Sequence, residues 1–178
     1  MIRKTKQFLR RFGRDEDGQL VIEFALAVPL IFTLFLTSIE LGIYSMRQVF
    51  LDRGVDMTVR NVRLGTGVQF THNDLKNSIC DMAGNLPDCE SALRLSLTPV
   101  NIRNFGGIGM PSDCVDVSQP IEPPTVFSLG QDNEMMLVRA CYMFKPVFPS
   151  TGLGYAFTKD GSGRSKMVSI SAFVQEPR

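Results

Sequence analysis

Sixteen residues, Phe24 to Ile39 (FALAVPLIFTLFLTSI), pass without a single charged side chain. Read from Leu20 to Met46, the run admits only Glu23 and Glu40 as ionisable groups. A bilayer core of about 30 Å takes about 20 helical residues, so this stretch is long enough to span one. The expected transmembrane helix covers residues 19–46. Its N-terminal flank carries Arg3, Lys4, Lys6, Arg10, Arg11 and Arg14 with no acid among them. Such a cluster holds its end in the cytoplasm and sends the following residues across. The expected topology is single-pass, N-terminus cytoplasmic, with an extracytoplasmic head at 65–178. A secretory signal peptide is the alternative, but its apolar region runs to about 7–15 residues and closes on a small-x-small site. Here the run is longer and is followed by Ser38-Ile39-Glu40-Leu41-Gly42.

The charge of the rest argues against two function classes. From Arg47 onward there are 13 basic and 13 acidic residues, and a neutral body offers no basic surface for phosphates. Nucleic-acid binding is therefore not expected. One His and no Trp leave little for catalysis. His72 has no nucleophilic Ser or Cys arranged around it, and no Gly-x-Ser-x-Gly occurs. Gly161-Ser162-Gly163 lacks Walker spacing and reads as a hairpin turn. No enzyme and no cofactor are expected.

Past Glu40 the helical period continues. Tyr44, Leu51, Val55, Thr58 and Val62 fall on one face, with Arg47, Gln48, Asp52, Arg53, Asp56 and Arg60 around them. An amphipathic continuation over 47–64 follows, ending near Gly65-Thr66-Gly67. It serves either as a simple tether or as a stalk on which the head packs. Further elements are expected as a short helix at Asn73–Cys80, a half-buried strand around Leu93–Thr98, a central strand at Met135–Phe144, and a strand at Lys166–Gln175 alternating on Val168, Ile170, Ala172 and Val174. Residues 104–109 and 118–124 read as loops by their Gly and Pro. The fold class is α+β: a long N-terminal helix carrying a small head with an antiparallel sheet.

Cys80, Cys89, Cys114 and Cys141 all follow the span, where an oxidising compartment favours two disulfides. Of three connectivities, Cys80–Cys89 with Cys114–Cys141 is preferred, the first pair being local and the second tying a loop to a strand. Metal ligation with His72 is the rival, but C-x8-C is not zinc-like spacing.

Glu23 is the costly residue, since a carboxylate within a bilayer is paired or placed for a reason. A bland reading leaves it at the cytoplasmic interface, favoured by the helix N-terminus. Its context, Gly18-Gln19-Leu20-Val21-Ile22-Glu23-Phe24, resembles the processing site of class IV prepilins of the Flp/Tad type. That resemblance implies a prepilin peptidase cutting between Gly18 and Gln19, removing a basic leader at 1–18. Glu23 would then stand fifth and Phe24 sixth, setting register against the α-amine of neighbouring pilins. The whole stretch GQLVIEFALAVPLIFTLFLTSIELG looks specifically like the TadE-like minor pseudopilins. Val138-Arg139-Ala140-Cys141-Tyr142, Pro146, Pro149 and the closing Gln175-Glu176-Pro177-Arg178 agree more faintly with that family's terminal strands, and the ending departs from the family's usual Asn-Glu-Pro and aromatic. The family implies retention in the inner membrane with the head periplasmic, and a role in assembling an Flp-type pilus, with the peptidase, other pilins and the inner membrane as partners. Glu40 is assigned a weaker place at the outer interface, its carboxylate snorkelling to water. Two other classes stay open: an unprocessed membrane-anchored binding module, and an enzyme of unrecognised site.

Overall fold

A computed structural model describes residues 19–64, 70–101, 103, 114 and 126–176. Helix α1 runs without interruption over Gln19–Arg63, 45 residues, or about 68 Å at 1.5 Å per residue. Pro29 lies inside it and removes one backbone donor. Three hydroxyls in the following turns bond back along the helix: Thr33 to the Pro29 carbonyl at 2.7 Å, Thr37 to Thr33 at 2.6 Å and Ser38 to Leu34 at 2.9 Å. In an apolar environment these bonds spare each hydroxyl a desolvation cost.

The head contains α2 (His72–Ala83), α3 (Cys89–Ala92), β1 (Leu93–Pro99), β2 (Met135–Phe144), α4 (Gly152–Ala156) and β3 (Ser165–Val174). Thr71 opens α2 with a capping box, its hydroxyl accepting from the Asp74 amide while the Asp74 carboxylate accepts from the Thr71 amide. Those bonds from Thr71 hold the Asp74 carboxyl below its ordinary range. The strands form one antiparallel sheet in the order β1-β2-β3, with β2 central. The sheet packs on the second half of α1, as the α+β reading expects.

Leu51, Val55, Val59 and Val62 of α1 meet Leu93, Leu95 and Leu97 of β1, the even-numbered residues of β2 and Met167 and Phe173 of β3 in one core. Tyr142, on that face near the end of β2, donates its hydroxyl to the Pro87 carbonyl. Burial pushes its phenol above the ordinary value.

Two strand expectations need correction. β1 is not half-buried: Arg94 and Thr98, on the face away from the core, are as enclosed as the leucines. β3 alternates in the opposite phase to its apolar residues. Register with β2 sets Met167 beside Tyr142 and Phe173 beside Met136, so the buried face carries Ser165, Met167, Ser169 and Phe173. Ile170 and Val174 stand 59% and 46% exposed. The candidate helix grows to His72–Ala83, and the hairpin at 161–163 is present, closed by an Asp160–Arg164 backbone bond of 2.8 Å. The expected helix stop at 65–67 and the loops at 104–109 and 118–124 lie outside the described residues.

Gly54 marks where α1 and α2 touch. A Cβ there would stand 2.6 Å from the Ile79 carbonyl oxygen and 2.8 Å from the Ala83 Cβ. Gly54→Ala is therefore expected to lower stability by about 1–3 kcal/mol, because backbone must yield and overpacking outweighs alanine's helix propensity. Thermal unfolding of the full chain in detergent micelles checks this, and an unchanged or raised midpoint would refute the close approach.

Candidate functional site: the bare helix and its junction with the head

The first half of α1 has nothing packed against its large apolar side chains. From Leu20 to Phe35, ten of them are 59–80% exposed. The helix is long and apolar enough to cross a membrane. A contiguous apolar surface of this size is not sustained in water. It is consistent with a single-pass membrane anchor.

Gln19 is the first residue of α1 and Glu23 lies four further on, one turn away on the same face. Phe24 projects beside it, 70% exposed. Gly18, the residue the cleavage expectation depends on, lies outside the described residues. The structure thus brings Gln19, Glu23 and Phe24 into the opening turns of one helix, on its bare half and far from the cysteines.

The head begins at Thr37. From Lys145, at the end of β2, the chain descends along α1 and then climbs back to β3. Arg47 donates to the Lys145 carbonyl at 3.0 Å. Ten residues lower on α1, Gly152 faces the Thr37 hydroxyl so closely that a Cβ could not be accommodated, and its φ of +51° is one that glycine adopts freely. On the return, Phe157 stacks on Tyr44 with centroids 5.3 Å apart, and both rings meet Phe144 edge-on. Residues 145–159 therefore form a foot reaching down the helix and back.

Glu40 fastens this foot, which corrects its expected place. It is 1% exposed and does not snorkel. Its carboxylate accepts from the Val147 amide at 3.1 Å on both oxygens and from the Phe148 amide at 2.9 Å. The charge is met by two backbone donors rather than by water, the arrangement that makes a buried carboxylate tolerable. Sequence reasoning missed the foot; Pro146, Pro149 and Gly152 mark a turn without saying what it touches.

The cysteines close as Cys80–Cys89 and Cys114–Cys141. The first joins α2 to α3, and the second fixes Cys114 to the outer face of β2. His72 packs edge-on to Phe127 at 5.7 Å. Among the described residues no three His, Cys, Asp or Glu side chains gather where a metal could sit.

Residues 18–60 match the family model described as TadE-like protein, the same segment that carries the resemblance in the sequence. No curated protein and no solved structure matches the chain.

Proposed function

We propose that this chain is a TadE-like minor pseudopilin that works by assembly rather than by catalysis. The TadE-like segment links it to a Tad pilus-related role, in a system with other pilin components. The finer reading is that a prepilin peptidase cuts between Gly18 and Gln19, that the chain stays in the inner membrane with its head periplasmic, and that α1 packs against the corresponding helices of other pilins. Glu23 would neutralise a neighbour's α-amine within the membrane, two groups costly alone defining one register together.

One observation carries assembly over a simple tether. Above the bare segment, α1 keeps apolar side chains on the side turned away from its own head. Leu41, Met46 and Val49 are 53–62% exposed there, and Met57 39%. A tether would need no such surface; a helix that packs among other helices would.

The test is the mature N-terminus in native membranes, by intact mass and terminal peptide sequencing. A chain beginning at Gln19 is expected, with Gly18→Phe retaining residues 1–18. Glu23→Ala should be cleaved normally and yet assemble far less pilus. Residues 1–18 retained in the wild-type chain would favour the unprocessed membrane-anchored module. Normal piliation by a stably expressed Glu23→Ala variant would refute the register.

A further inference from the structure

The foot ends where the bare helix ends. The 18 residues from Gln19 to the turn before Thr37 span about 27 Å, close to the ~30 Å of a bilayer's hydrocarbon core. Gly152 is held against Thr37, and Val147 and Phe148 against Glu40. The underside of the head thus sits at the depth where acyl chains give way to headgroups. What it presents there is unusual for a solvent-facing loop. Tyr155 is 74% exposed and Val147 44%. An aromatic ring with one polar end favours this interfacial layer.

Charge points the same way. Residues 145–159 contain Lys145 and Lys159 and no Asp or Glu. Lys159 lies over the Tyr155 ring at 6.0 Å and bonds to the Tyr155 and Phe157 carbonyls at 3.4 Å. Of the acids packed nearby, Glu40 is consumed by the foot's own amides. Asp160 accepts from the Ser162 and Arg164 amides in the hairpin turn. Arg164, the next cation, is paired with Asp88. Lys145 is exposed and Lys159 half-buried, and lysines within a Debye length of an anionic surface are attracted to it.

We propose that the foot, residues 145–159, seats on the anionic phospholipid headgroups of the leaflet from which α1 emerges, with Tyr155 in the interface and Lys159 and Lys145 toward lipid phosphate. This rests on reading the bare half of α1 as a membrane span. The contact would fix the height and tilt of the head, which α1 alone leaves free to rock about its exit point.

Because the chain contains no tryptophan, single replacements at exposed positions serve as depth probes. Full-length Tyr155→Trp, Phe32→Trp and Val174→Trp are reconstituted in nanodiscs of phosphatidylcholine, with and without phosphatidylglycerol. Bromine is carried on the upper acyl carbons to quench fluorescence. Quenching is expected for Phe32→Trp in both lipids and for Tyr155→Trp most strongly with phosphatidylglycerol. Val174→Trp, near the far end of β3, should escape. Phe32→Trp quenched with Tyr155→Trp unquenched overturns the foot and leaves the span standing; Phe32→Trp unquenched overturns both. Equal quenching of Tyr155→Trp in the two lipids overturns the anionic part. Acylation of Lys145 and Lys159 in the unmutated chain, read by mass spectrometry, provides a second measure. It should be several-fold slower in phosphatidylglycerol nanodiscs than in neutral micelles, and equal rates would count against the contact.

Discussion

Glu40→Ala should release the foot from α1 at a cost of about 2–5 kcal/mol. The carboxylate is the acceptor for the Val147 and Phe148 amides, and a buried donor left unmade costs about 1–3 kcal/mol. The bonds being lost are charge-assisted, which places them above neutral ones. Water entering the gap would recover part of the loss, so the figure stays below the sum of two full penalties. Glu40→Gln keeps one acceptor oxygen but brings an amide nitrogen where two donors converge, and is expected to fall between. Hydrogen exchange of the full chain in micelles reads this directly. The Val147 and Phe148 amides should exchange at least tenfold faster in Glu40→Ala, tenfold corresponding to about 1.4 kcal/mol. The β2–β3 ladder should change little, since it closes through its own bonds. Unchanged exchange at Val147 and Phe148 would show that the foot is held by packing alone, through Tyr44, Phe144 and Phe157.

That role for Glu40 was beyond the reach of the sequence for a physical reason. Its partners are backbone amides 107 and 108 positions away, and a backbone amide leaves no mark in residue type. The long helix was legible because both its halves are written in side chains, first as absence of charge and then as a 3.6-residue period. The central position of β2 was legible from its long apolar run, interrupted only by Arg139, which fits a strand buried on both faces. β3 misleads because its buried face is built partly from serine. Ser165 and Ser169 are buried while Ile170 and Val174 are not, so hydrophobicity marks the period and inverts the phase. A one-residue phase error moves every side chain to the other face; only pairing with β2 resolves it. Among the expected site residues, Gln19, Glu23 and Phe24 follow from local spacing along one helix. The foot depends on where a distant segment lands, which local spacing does not encode.

The larger of the two disulfide losses should come from Cys114–Cys141. It closes 27 residues against 9 for Cys80–Cys89. Chain-entropy reasoning assigns about 3.5 kcal/mol to the first and about 2.5 to the second. The positions of the two bridges widen the difference. Cys80–Cys89 links α2 to α3, which already share packing with β1 and β2. Cys141 lies on the outer face of β2 opposite Arg94, with Arg139 on the same face, and both arginines are at most 3% exposed. The bridge from Cys114 fastens chain on the side of the sheet where two guanidiniums are enclosed. Buried charges tolerate little loosening of their surroundings. Alanine pairs avoid placing hydroxyls at Cys141, which is 1% exposed. Thermal unfolding of Cys114→Ala/Cys141→Ala should therefore show the lower midpoint, followed by Cys80→Ala/Cys89→Ala, with the parent chain highest. The reverse order of the two variants would mean that closure length is not what these bridges contribute, and that the α2–α3 corner limits the stability of the head.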